Sequence, residues 1–328
     1  MSYVLKRVGF ALATTFVAVT LNFFLFRVMP GNAVTGLRCQ NCTAAFKASI
    51  IRQYGLDKPK FEQYLIYLQR LLHGDLGTSV ANNAPVWDAI WPPLLHTLPM
   101  LFVGTLISIL LGVLSGVGSA WRRGTNTDRS LLWTSLAFYA MPTQWIGLLV
   151  IFYLAARVGL PPVGLQSPTL GILGEPSTWT FVVDRTRHLI LPALTLGIGL
   201  YGQYALVVRS SMLETLGEDY ILTARAKGLP NRRIVRRHAL ANAMLPLITL
   251  VALSVGSIVA GAIVVEDVFS YPGIGLATVD AIDHRDYPVL QGIFLLLTLA
   301  VIFCNLLADL LAFRLDPRLQ HELAPRTR

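Results

Sequence analysis

Arg225, Lys227, Arg232, Arg233, Arg236 and Arg237 crowd into one short stretch between two long apolar runs. Six cations at that spacing do ionic and hydrogen-bonding chemistry, and such a block must stay out of hydrocarbon. The stretch is also patterned for structure. Helix formers run from Ile221 to Lys227, Gly228 offers a stop, and a second helical run is expected after Pro230. Thr223, Ala224, Ala226 and Gly228 are small enough for close backbone approach. A structured basic hairpin with small residues is suited to docking on a partner surface, the alternative being an ordinary amphipathic loop helix that neutralises anionic lipid.

Other chemistries are poorly represented. The lysines are Lys6, Lys47, Lys58, Lys60 and Lys227; none follows a glycine, so no Gly-x-x-x-x-Gly-Lys-Ser/Thr phosphate loop is present. There is no HExxH and no GxSxG, and no pair of carboxylates lies inside an apolar run. His96, His188 and His284 stand alone near run ends or in connections, without the partners that catalysis requires. Arg27, Arg209, Glu266, Asp267 and Asp309 all fall near the ends of runs, where snorkelling or headgroup contact accounts for them without an ion-relay role. Cys39-Gln-Asn-Cys42 leaves three readings open: a local disulfide, half of a zinc site lacking nearby ligands, or two unpaired thiols. Cys304 sits inside the last run as a small apolar residue.

The elements that must position these residues are membrane spans. Of 328 residues, 54% are hydrophobic and only 14% charged, the composition of a polytopic membrane protein. The net charge of +9 does not point to nucleic acid, because the cations sit between apolar runs and form no single basic face. Six runs are long enough to cross: Val8–Val28, Pro99–Ala120, Leu131–Ala156, Leu189–Val208, Ala243–Val265 and Val289–Phe313. Each holds about 20 residues or more, hence about 30 Å of helix. No small-x-small site ends the first run, so it reads as a retained helix and not a cleaved signal.

The charge distribution places both termini in the cytoplasm. Lys6, Arg7, Arg122, Arg123, Arg129, the basic island with Arg209, and Arg314, Arg318, Arg326 and Arg328 then lie inside. The second and third outer connections keep Arg157, Arg185, Arg187 and Arg285, while the long first outer loop crosses regardless of its charge. Organisation follows as 1–94, a span plus a long outer loop; 95–316, five spans with a cytoplasmic loop at 209–242; and 317–328, a basic tail. Within the outer loop, Phe61, Tyr64, Leu65, Leu68, Leu71 and Leu72 predict an amphipathic surface helix of about four turns. Gly159 to His188 reads as loop, and Ile274 to Ile282 as a mildly polar segment dipping toward the membrane.

Specific motifs now bear on the basic hairpin. Glu218-Asp-Tyr-Ile-Leu-Thr-Ala-Arg-Ala-Lys-Gly228, followed by His238-Ala-Leu-Ala-Asn-Ala-Met-Leu-Pro246, resembles the coupling loop of ABC-importer permeases, and more narrowly the B-type permease subunit of dipeptide, oligopeptide and nickel importers. Met29-Pro-Gly-Asn32, Tyr54-Gly-Leu-Asp57, Gly74-Asp-Leu-Gly-Thr-Ser79 and His188-Leu-Ile-Leu-Pro192 match in order. So do Val268-Phe-Ser-Tyr-Pro-Gly-Ile-Gly275, Arg285-Asp-Tyr-Pro-Val289 and Leu315-Asp-Pro-Arg318. Two departures stand out: Leu222, Thr223 and Ala224 occupy the Glu-Ala-Ala places of the general pattern, and its later proline is missing at Ala241.

The resemblance implies an all-α membrane protein with six transmembrane helices and the type I ABC importer permease fold, in the bacterial inner membrane. It implies a non-catalytic subunit that carries no cofactor, with ATP and Mg²⁺ on partner chains. The expected partners are a second homologous permease forming a heterodimer, two ATPase subunits or domains, an extracytoplasmic binding protein, and membrane lipid; no nucleic acid is expected. Asp219, Thr223, Ala224, Arg225, Ala226, Lys227 and Gly228 would form the ATPase-coupling surface. The implied cargo is a short peptide, with nickel chelate, glutathione or an opine-like solute as alternatives on the same architecture, and an autonomous ion-coupled carrier as the alternative of another class. Asn22, Gln144, Gln203 and Asn305 are candidates for a polar substrate path or for packing. No metal site is expected.

Overall fold

The computed structural model describes residues 2–28, 57–168, 170 and 177–315; Cys39 and Cys42, the Met29–Asn32 motif and the basic tail lie outside them. The described chain is helical, with one isolated β-bridge between Thr78 and Pro85. In order come α1 (Ser2–Val28), α2 (Lys60–Leu72), α3 (Val86–Trp121), α4 (Asn126–Ala140), α5 (Thr143–Val158), α6 (Thr178–Leu216) and α7 (Asp219–Ala226). There follow α8 (Leu240–Leu253), entered without a break through Asn231–Arg233 and a π-helical stretch Ile234–Ala239, then α9 (Val255–Val268), α10 (Ile274–Asp283) and α11 (Tyr287–Leu315). Among the described residues five helical runs are long and apolar enough to span, and a sixth if the bent pair α4–α5 is one span.

The spans differ from the expected ones in instructive ways. The run Leu131–Ala156 is not one straight helix: α4 and α5 meet at 108°. Pro142 has no N–H and its ring pushes Met141 into an extended conformation (φ −81°, ψ 131°), so the helix cannot continue. The fifth run is interrupted at Ser254, between α8 and α9. Gly159 to His188 is only partly loop. Ser177 caps α6 by accepting a hydrogen bond from the Thr180 amide at 3.2 Å, and the helix runs from Thr178 through Pro192 to Leu216.

Two compact units divide the chain: residues 1–96 with 273–328, and residues 97–272. In the first, α1 lies along α11. Arg7 pairs with Asp309 at 2.9 Å, and the Asn22 amide donates to the Gln291 carbonyl at 3.2 Å. The pairing explains Asp309 as a helix–helix contact. Helix α2 packs on α1 through rings, Phe23 lying 5.2 Å from Tyr64 and 5.4 Å from Tyr67, with Thr20 Oγ1 2.8 Å from the Tyr64 hydroxyl. Gln63 is buried, whereas Phe61, Leu65 and Leu72 are exposed, a face left for lipid or a neighbouring chain. Burial pushes the Tyr67 phenol up to about 12.

Two motifs far apart in sequence meet in this unit. Ser79 Oγ donates to Asp286 Oδ2 at 2.5 Å, and the Ala81 amide donates to the same oxygen at 3.1 Å. Asp286 Oδ1 accepts from the Val289 amide at 3.3 Å, so this carboxylate also caps α11. The Gly74–Gly77 turn is held by Arg70, whose Nε donates to Asp75 at 2.9 Å and keeps that carboxyl below its usual range. Ile274 to Ile282 is helix α10, buried through Ile274, Gly275, Thr278 and Ala281.

In the second unit α6 is the central element. Gly104, Ser108, Gly112, Gly116 and Ala120 recur every fourth residue on α3, a small-residue ridge that lets backbones close in. A Cβ on Gly112 would lie 2.7 Å from Tyr204 Cβ, and one on Gly116 2.8 Å from the Ala205 carbonyl oxygen. On the other side of α6, a Cβ on Gly202 would lie 2.3 Å from the Ser135 carbonyl oxygen of α4.

Candidate functional site: the basic hairpin and its ionic frame

Helix α7 is short, so its own propensity does little to hold it. Ile221 and Ala224, three residues apart, anchor it: they are buried in a cluster with Tyr204, Val208 and Met212 of α6 and with Ile234, Ala239, Ala243 and Leu247. Asp219 lies in the first turn and Arg225 in the last, both complementary to the helix dipole. The end is a left-handed glycine cap. Gly228 has φ +71°, its amide donates to the Arg225 carbonyl at 2.9 Å, and the Leu229 amide donates to the Ala224 carbonyl at 3.3 Å.

Of the residues expected at the coupling surface, Asp219, Thr223, Arg225, Ala226, Lys227 and Gly228 are exposed, while Ala224 is buried. The Ala224 methyl therefore belongs to the anchor and not to the open face. Leu222, half-exposed beside them, adds an apolar contact that spacing had not singled out. Tyr220 is tied back by Asn242, whose Nδ2 donates to its hydroxyl at 2.7 Å.

The hairpin springs from α6, and α6 is locked by an ionic cluster. Asp128 is 5% exposed. It accepts from Arg209 Nε at 3.0 Å and Nη2 at 3.2 Å, from Ser119 Oγ at 2.5 Å and from the Gly124 amide at 2.9 Å. Arg209 Nε also lies 2.9 Å from Ser119 Oγ. One carboxylate thus joins the ends of α3, α4 and α6. Arg209 is not a snorkelling cation, as its position near a run end suggests; it is a bidentate partner inside the protein. A signal for Asp128 was present in Thr125-Asn-Thr-Asp128, a capping-box spacing, and the Asp128 amide does donate to Thr125 Oγ1 at 3.3 Å.

Glu266 also departs from the snorkelling expectation. It is fully buried and accepts from Thr97 Oγ1 at 2.6 Å. Nearby, burial pushes the Tyr271 phenol up to about 12, and the Tyr271 amide donates to the Glu266 carbonyl at 2.8 Å. Of the path candidates, Asn22 is buried in α1–α11 packing and Asn305 half-buried in the first unit, while Gln144 is exposed and Gln203 half-buried in the second. No group of three or more metal-ligating side chains occurs among the described residues.

Long apolar helices carrying outward Phe102, Leu114 and Trp133 define a multi-pass membrane protein, since those side chains are left uncovered by the described residues. Residues 104–321 match the family described as "Binding-protein-dependent transport system inner membrane component", and residues 1–101 match its N-terminal companion. The chain is 37% identical over 341 residues to the dipeptide transport system permease protein DppB of Escherichia coli K12, covering 98% of this chain and 99% of that one. It is 37% identical to the di/tripeptide permease DppB of Pseudomonas aeruginosa and 34% identical to the oligopeptide permease AppB of Bacillus subtilis, at the same coverage. A solved inward-facing structure of the MetNI methionine ABC transporter superposes with a TM-score of 0.55 at 19% identity, over 67% of this chain and 93% of that one, and shows a shared fold. The chain belongs to the family of binding-protein-dependent transport system inner membrane components.

Proposed function

We propose that this chain is one of two non-identical permease subunits of an ATP-driven importer of short peptides. The relatives named above supply the cargo class: dipeptides, di- and tripeptides, and oligopeptides. The observation that carries the mechanical part is the build of α7. Ile221 and Ala224 fasten it to α6, and its opposite face, with Asp219, Leu222, Thr223, Arg225, Ala226 and Lys227, stays open up to the Gly228 cap. That open face is the docking surface for a cytoplasmic ATPase, with both termini of this chain on the same side of the membrane. The chain holds no nucleotide and performs no catalysis; ATP and Mg²⁺ belong to the ATPase partners, and an extracytoplasmic protein delivers the peptide. Nucleotide-driven movement of the ATPases then displaces α7, and α6 carries the displacement into the spans through differential contacts in the two states.

Co-reconstitution tests this. Liposomes with this chain, its second permease and the ATPases should take up a labelled dipeptide only with binding protein outside and ATP inside. Uptake by this chain alone would overturn the proposal. Gly228 offers a sharper cut. A side chain there meets no atom within 4 Å, so Gly228→Val strains only the left-handed backbone, by about 1–2 kcal/mol. The variant is expected to insert normally and to uncouple ATP hydrolysis from uptake, with transport per ATP falling about tenfold or more. Unchanged coupling would exclude α7 as the docking element.

A further inference from the structure

We propose that a groove at the end of α3 binds the phosphate of an anionic phospholipid headgroup. The groove measures about 440 Å³ and is lined by Val117, Trp121 and Arg122 on one side and by Arg232, Val235 and Arg236 on the other. That volume is in the range of small-molecule sites. Arg232 and Arg236 are four residues apart and share a helix face, with Arg122 across the groove. All three are exposed, and none forms an ion pair among the described residues. Three guanidinium groups around one opening, each offering paired donors, suit an anion such as a phosphate diester.

The level of the groove selects lipid over a soluble anion. Helix α3 is apolar along its spanning run and ends at Trp121, the residue type that settles at the membrane–water boundary. The opposite wall is the start of the run Asn231–Val251, itself apolar enough to span. Val117 and Val235, partly buried against the core, give the groove an apolar floor beside its arginines. Ile234 faces away, buried with Ile221 under α7, so the groove and the α7 anchor use different sides of the same helical run. Basic pockets between spanning helices are suited to anionic headgroups. The inference needs only that the chain spans a membrane, and so stands apart from the import proposal.

The test uses the assembled complex, purified through this chain and placed in phosphatidylcholine nanodiscs containing a photoactivatable phosphatidylglycerol. Peptides holding Val117–Arg122 and Arg232–Arg236 should take the label, while the matching phosphatidylcholine probe should leave them unlabelled. Arg122→Gln with Arg236→Gln should cut labelling about tenfold. Arg233→Gln with Arg237→Gln, which removes the same charge from the same region, should leave it unchanged; an equal fall in both would reduce the site to bulk surface charge. Equal labelling by both lipids, or displacement by inorganic phosphate, would overturn the proposal. So would shielding of the three arginines by the ATPase subunits in place of lipid. ATP-driven dipeptide uptake, followed on the same preparation in liposomes, reports on the import proposal separately.

Discussion

Asp128→Ala is expected to destabilise the folded chain by about 3 kcal/mol, the low end for breaking a buried ion pair because the Arg209 side chain keeps 22% exposure. Three kinds of donor converge on this carboxylate: the Arg209 guanidinium, the Ser119 hydroxyl and the Gly124 amide. Removing it leaves a cation without its counter-charge and two neutral donors without an acceptor. Thermal unfolding of the detergent-solubilised protein should fall by several degrees. Asp128→Asn keeps the shape but not the charge and should lose nearly as much. The double variant Asp128→Asn with Arg209→Gln should recover part of the loss, since the stranded charge is gone. A single variant as stable as the parent, or a double variant that is simply the sum of its parts, would mean that the cluster does not hold α4 to α6. A functional loss should accompany the structural one, because α7 hangs from the end of α6.

Gly202→Ala should have the second large effect. The added Cβ would stand 2.3 Å from the Ser135 carbonyl oxygen and 2.9 Å from both the Tyr139 amide nitrogen and Cβ. Backbone cannot give way as a flexible side chain does, so α4 and α6 must part by about an ångström, costing about 1–3 kcal/mol. Gly202→Leu should prevent accumulation of folded protein. Gly118→Ala is the control. Its Cβ would meet only Leu131 Cδ1, at 3.5 Å, an ordinary contact, and replacing a helical glycine there should leave stability unchanged or raise it slightly. If both alanine variants behave alike in unfolding and accumulation, the close α4–α6 approach is not a real constraint.

The basic hairpin illustrates how far residues alone lead. Its helix, its glycine stop and its second helical run all follow from local propensities, and α7, Gly228 and the run from Asn231 bear them out. Which side of α7 faces inward was not legible, because a helix of eight residues offers too few positions for periodicity to separate anchor from surface. Ala224 was grouped with the open face for its size, yet it is Ile221's partner in the core. The amphipathic helix shows the same limit from the other side. Periodicity identified the helix and its apolar stripe but not which residues pack inward; in a membrane apolar side chains gain little from leaving lipid, so Phe61, Leu65 and Leu72 stay exposed while the packed face collects Gln63 and Tyr67.

Taken alone, the order of residues determined an all-helical, multi-pass chain, the apolar stretches that lie within its long helices, and the existence of a basic hairpin between two of them. Those properties depend on neighbours along the chain: run length against bilayer thickness, and cations too costly to bury. The tertiary structure alone decided the meeting of Ser79 with Asp286, the burial of Glu266 on Thr97, and the joining of Asp128 to Arg209. Each of these is a polar group whose charge or hydrogen bond is satisfied by a residue distant in sequence. Nothing local records that distance, and only the packing of helices closes it.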